Sequence, residues 1–139
     1  MSKSIRVLLA DDHPIVLEGL KTHLVQQPDI EVIGTAYSGR EVQNLSQALL
    51  PDLILLDLDL GDMLAYEVIR YLNKCVPHTK IIIYSVHCAL YWLSLIMSEI
   101  SGYLLKSDPL ETICRAIRLV DQGGMWFNPQ ILQALKTLN

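Results

Sequence analysis

The sequence predicts a single-domain, doubly wound α/β fold: five parallel strands in one open sheet, with helices on both faces. Short aliphatic runs alternate with longer segments of helical period, which is the pattern of repeated strand-helix units with right-handed crossovers. Most of the aliphatic runs are continuously apolar rather than alternating, as strands buried on both faces of a parallel sheet must be. A length of 139 residues suits one domain with a core of its own.

The first strand spans Ile5 to Ala10 and stops at Asp11 and Asp12, and Pro14 suits the first turn of the helix that follows. The second strand covers Glu31 to Ala36, after which Ser38 and Glu41 form a capping box. Leu53 to Leu56 and Lys80 to Tyr84 are the third and fourth strands, followed by Asp57 and Ser85. The stretch Ala89 to Ile100 predicts a helix, and Gly102 to Leu105 is the fifth strand, ending at Lys106. Asp108, Pro109 and Glu111 repeat both helix-start devices ahead of a stripe of Leu110, Ile113, Cys114 and Ile117, which stops near Gly123 and Gly124. Met125 to Asn139 predicts a short tail helix starting near Asn128 and Pro129. The division expected is a domain over residues 1–122 and a tail over 123–139.

Half of the residues are hydrophobic (51%) and 19% are charged, which excludes a disordered chain. A net charge of −4 leaves no cationic excess to neutralise a phosphate backbone, so direct nucleic-acid binding is not expected. The three cysteines, Cys75, Cys88 and Cys114, have no C-x-x-C spacing and point to reduced thiols. The apolar run Val7 to Ala10 is too short for a signal peptide, and no apolar stretch approaches the ~20 residues of a membrane span. A soluble, cytoplasmic protein is expected.

In an open parallel sheet, ligands gather at the carboxyl ends of the strands. Those ends carry Asp11 and Asp12, Asp57 followed by Asp59, Ser85, and Lys106. Three carboxylates on one rim repel one another unless a hard divalent cation holds them, and Mg²⁺ (or Mn²⁺) leaves room for phosphate oxygens. An ionised Asp57 could then attack a phosphoryl donor in line, with the metal and Lys106 stabilising the equatorial oxygens and Ser85 donating its hydroxyl to one of them. Any one of these Asp residues alone would suit a turn or a helix cap, but the combination does not. The four histidines do not cluster at metal spacing, and His13 is expected only to open the first helix.

The order Asp11-Asp12-His13-Pro14, Pro51 to Leu58, Ser85, and Gly102-Tyr103-Leu104-Leu105-Lys106 resembles the receiver domain of NarL/FixJ-type response regulators over roughly residues 5 to 122. The resemblance implies the flavodoxin-like receiver fold and a switch rather than an enzyme, one that promotes its own phosphorylation and dephosphorylation. It implies phosphoryl transfer from a sensor histidine kinase to Asp57, and control of dimerisation or of a DNA-binding output domain, in transcription regulation. That output domain is expected beyond this chain. It also implies metal contact by Asp12 directly, Asp11 through water, Asp57, and the backbone carbonyl of Asp59, with Ser85 and Tyr103 as the conformational switch.

Several positions depart from the family pattern. Gly61 and Asp62 stand where Pro-Gly is usual, Ala65 where Gly is, Val86 where a small residue is, and Glu99 where glycine is common. The spacing from Ser85 to Lys106 is one residue short, and Asp59 adds a fourth carboxylate near the site. In the predicted helix at residues 89–100 apolar side chains occupy nearly every face, which calls for deep packing or a partner. Trp92, Leu93 and Ile96 are the candidate partner face, for which a homodimer is the natural use. Two other functions stay open: a receiver-like interaction module that works without phosphorylation, and a haloacid-dehalogenase-like phosphatase suggested by Asp57-Leu58-Asp59.

Overall fold

The aliphatic runs pair as one parallel sheet in the computed structural model, which describes residues 3–86 and 97–138. Its strands are β1 (Ile5–Ala10), β2 (Ile30–Ala36), β3 (Leu53–Leu56), β4 (Lys80–Ser85), β5 (Gly102–Leu105) and β6 (Trp126–Phe127), in the order β2-β1-β3-β4-β5-β6. Every neighbouring pair is parallel. The sheet therefore has six strands where the sequence predicts five. Trp126 and Phe127 pair with Gly102 and Tyr103 before the tail helix begins. Two residues are too few to display a strand period, and the enabling feature lies elsewhere in the chain: a Cβ on Gly102 would meet the Trp126 carbonyl at 2.6 Å.

Among the described residues the helices are α1 (Pro14–Val25), α2 (Gly39–Leu49), α3 (Ala65–Cys75), α4 (Leu110–Asp121) and α5 (Pro129–Leu138), with a 3₁₀ turn at Met97–Glu99. Pro14 opens α1, and the Ser38 hydroxyl caps α2 by accepting from the Glu41 N–H at 3.1 Å. The expected repeat of these devices before α4 does not occur. Pro109 is the N-cap there, without a side-chain bond, and the Asp108 carboxylate accepts from Leu105 N–H and from Asn128 instead. Leu110, expected on the buried stripe, is exposed, whereas Ile113, Cys114 and Ile117 are buried.

The continuous apolar runs are explained by cover on both faces. Leu8, Ile54, Leu56, Ile81 and Ile83 pack against α2, α3 and α5 through Val42, Ile69, Leu72 and Ile131. Val7, Leu9, Leu55, Ile82 and Leu104 pack against α1 and α4 through Leu20, Leu24, Ile113 and Ile117. Truncating any one of these Leu or Ile side chains to Ala costs about 2–5 kcal/mol. Of the helix predicted over Ala89 to Ile100, the candidate partner face Trp92, Leu93 and Ile96 lies outside the described residues, while Met97–Glu99 form a 3₁₀ turn and Ile100 is buried in the core. Among the described residues no helix is long and apolar enough to cross a membrane.

The register places the site. Ala10 faces Leu56, so Asp11 and Asp57 leave the sheet side by side, with the Asp57 N–H donating to Ala10 O at 2.9 Å. β1 connects to β2 on one side and has β3 on the other, so these two residues sit where the strand order reverses.

Candidate functional site

Three strand ends supply the site. Asp11 and Asp57 follow β1 and β3 and are each only 2% exposed, Asp12 is exposed beside them, and Lys106 follows β5. The Lys106 ammonium lies 2.6 Å from Asp11 Oδ2 and 3.3 Å from Asp57 Oδ2, and 5.7 Å from the centre of the Tyr84 ring. The Asp59 N–H donates to Asp57 Oδ1 at 3.3 Å, while Asp57 Oδ2 is buried with no hydrogen-bond partner. A buried carboxylate oxygen left in that condition is costly unless a cation or a bond-forming partner faces it.

Electrostatics follow from this geometry. Burial first, and the Asp11 charge second, push the Asp57 carboxyl up to about 6 even though Lys106 pulls it down. Burial acts on Asp11 in the same direction, but hydrogen bonds from Lys106 and His13 outweigh it and hold that carboxyl below its usual range. The Tyr84 phenol, buried and near Asp11, Asp108 and Asp57, is pushed up to about 12.

His13 is the member that sequence reasoning missed. Its Nδ1 lies 2.9 Å from both Asp11 Oδ1 and Asp12 Oδ1, and 3.9 Å from Asp57 Oδ2. The hydrogen bond to Asp11, then the Asp12 charge, raise the imidazole above its ordinary value. Asp11, Asp12, His13 and Asp57 together present ligand atoms within 4.8 Å of one another, a group that could hold a metal ion. The donor set is mainly carboxylate oxygen, which suits a hard divalent cation. The signal for His13 was its direct adjacency to Asp11-Asp12 at a strand-helix junction, rather than any spacing between histidines.

The remaining expected residues fall around this cluster. Ser85 ends β4, is fully buried, and accepts the Lys106 N–H on its carbonyl at 2.7 Å. Tyr103 is fully buried in β5, within the core layer that also contains Ile131. The Asp59 side chain is exposed and is not one of the converging groups. The altered loop after Asp57 has its own solution: Gly61 adopts φ +86°, and the Asp62 carboxylate accepts from Gly39 N–H at 2.7 Å and Arg40 N–H at 3.1 Å, tying the loop to the start of α2. Those two N–H groups hold the Asp62 carboxyl below its usual range.

Residues 7–118 match the family model described as the response regulator receiver domain. The chain belongs to this family. It is 33% identical over 132 residues to the transcriptional regulatory protein MctR of Rhizobium johnstonii, covering 94% of this chain and 62% of that one. Its fold matches the receiver domain of the response regulator NarL from Mycobacterium tuberculosis with a TM-score of 0.81 at 27% identity, over 88% of this chain and 99% of that one. It also matches the isolated receiver domain of RcsB from Salmonella enterica, solved with the phosphomimetic BeF₃⁻, with a TM-score of 0.86 at 25% identity, over 96% and 99% of the two chains. The chain spans about six-tenths of the length of the curated relatives it matches. It is thus a response-regulator receiver domain whose relatives include transcriptional regulators, and not an enzyme of the phosphatase kind that Asp57-Leu58-Asp59 suggests.

Proposed function

We propose that this receiver domain is a phosphoacceptor switch in which Asp57 Oδ2 takes the phosphoryl group. The observation that carries the reading is that oxygen: buried, without a hydrogen-bond partner, and 3.3 Å from the Lys106 ammonium. Asp57 Oδ2 attacks the phosphorus of a phosphohistidine or a small acyl phosphate, the bond from phosphorus to the donor breaks, and the donor leaves with the electron pair. The product is an aspartyl phosphate, and Lys106 moves from balancing two carboxylates to balancing the phosphoryl oxygens.

Asp11, Asp12, Asp57 and the backbone carbonyl of Asp59 would hold Mg²⁺ or Mn²⁺, which when bound neutralises the carboxylates and polarises the transferring group. Ser85 then donates its hydroxyl to a phosphoryl oxygen, and its displacement with Tyr103 alters the β4–β5 surface. The donor is a sensor histidine kinase in the cytoplasm. Residues 1–122 carry the phosphoacceptor and switch residues, 123–139 dock on them through β6 and Ile131 and lead toward an output domain that regulates transcription, and the switched state dimerises, with Trp92, Leu93 and Ile96 as the candidate contact. The same site accelerates both gain and loss of the phosphoryl group.

The test is titration of the full chain with beryllofluoride in Mg²⁺, followed by amide chemical shifts around Asp57, with Asp57→Ala as control. Shifts at Asp57, Ser85 and Lys106 that vanish in the control are the expected result. An unresponsive wild-type protein would leave an interaction module that works without phosphorylation.

A further inference from the structure

Besides its own N–H bond to Ser85 O and its ammonium contact with Asp11, Lys106 is held by the backbone turn that carries it. That tight turn is closed from both ends by one residue: the Leu105 N–H donates to Asp108 Oδ2 at 2.8 Å, and the Asp108 N–H donates to Leu105 O at 2.9 Å. The outer side of that carboxylate is held by Asn128, whose Nδ2 donates to Asp108 Oδ1 at 2.8 Å and to Oδ2 at 3.1 Å. Asn128 belongs to the C-terminal segment, 22 positions beyond Lys106, yet it is 6% exposed. Its other polar atoms are engaged too. Oδ1 accepts from Gln130 N–H at 2.7 Å, its N–H donates to Tyr103 O at 2.9 Å, and its carbonyl accepts from the Ile131 N–H at 2.9 Å.

One buried asparagine, through its side-chain amide and its backbone, thus joins the Lys106 turn, the strand carrying Tyr103 and the first turn of α5. We propose that Asn128 is a positioning residue for Lys106, so that β6 and α5 complete the phosphoacceptor site rather than merely trailing from it; the inference rests on the reading of Asp57 given above. Asparagine suits the place because it is donor and acceptor at once: a half-buried carboxylate needs the donor, and the helix start needs the acceptor. Coupling is reciprocal. If α5 helps to place Lys106, then drawing Lys106 toward a phosphoryl group shifts the docking of α5, which Ile131 anchors in the core layer containing Tyr103.

A helix cap with no further role is separable from this by chemistry. Asn128→Asp keeps an oxygen for the Gln130 N–H but sets a second carboxylate against Asp108. Combining it with Asp108→Asn restores an amide opposite a carboxylate and still offers Leu105 N–H an oxygen. The experiment measures acetyl phosphate labelling of the full chain in saturating Mg²⁺, as maximal rate and half-saturating concentration, together with amide exchange at Leu105 and Ile131 in metal-free protein. Asn128→Asp is expected to lower the maximal rate on the order of ten-fold with the half-saturating concentration little changed, and to speed Leu105 exchange. The paired variant is expected to return both to near the wild-type values. Wild-type labelling in Asn128→Asp, no recovery in the pair, or unchanged Leu105 exchange would each overturn the inference. A wild-type chain that takes no label at all would overturn the Asp57 reading itself, while the Leu105 exchange still decides whether Asn128 orders the turn.

Discussion

Asp57→Asn removes a charge at nearly constant volume and isolates what ionising Asp57 costs the fold. The folded-state carboxyl is raised from 3.8 to about 6, and burial and the Asp11 charge are the causes. A rise of about two pH units at ~1.4 kcal/mol each means that ionised Asp57 opposes folding by about 3 kcal/mol. The sign follows from the direction. An acid with a raised folded pKa favours the folded state fully below its unfolded value, near 4, and that contribution disappears as pH rises through about 6. At pH 8 with chelator, Asp57→Asn should therefore be about 3 kcal/mol more stable in urea denaturation, with a melting temperature higher by roughly ten degrees at this size. Below pH 4 the two proteins should converge. Mg²⁺ should narrow the gap at pH 8 by stabilising the wild type, by about 2.7 kcal/mol at a hundred times its dissociation constant. A variant equal to or weaker than wild type at pH 8 without metal would refute the claim that Asp57 is held as a strained anion.

Lys106→Met leaves Asp11 and Asp57 without their shared ammonium, so at neutral pH without metal it should destabilise by about 3–5 kcal/mol in denaturant titration and abolish most acetyl phosphate labelling. Gly102→Ala drives a Cβ into the Trp126 carbonyl and should cost about 1–3 kcal/mol, with a change in Trp126 emission as β6 shifts. Asp12→Asn should weaken Mg²⁺ binding more than Asp59→Asn does, because the Asp12 carboxylate belongs to the converging group and the exposed Asp59 carboxylate does not; calorimetric titration of both decides it.

Elements with a strong local pattern were legible in the sequence. The five aliphatic strands, the Pro14 start and the Ser38 cap depend on residues close together in the chain, and the acidic rim follows once those strands are parallel. What escaped depends on distant groups. β6 exists because Gly102 leaves room for Trp126, Asp108 turns from helix cap to clasp because Asn128 reaches it, and Asp62 finds the open N–H groups of α2. His13 escaped for another reason: its role comes from the neighbouring carboxylates, and only the bend between β1 and α1 brings its ring over them.

The most direct test of the central claim is to locate the phosphoryl group. The chain is incubated with acetyl phosphate and Mg²⁺, the acyl phosphate is trapped by borohydride reduction, and the modified residue is identified by peptide mass spectrometry. Conversion of Asp57 to homoserine, dependent on Mg²⁺ and absent in Asp57→Asn, is the predicted result. Trapping at Asp11, Asp12 or Asp59 in place of Asp57, or no trapped product from the folded protein, would contradict it.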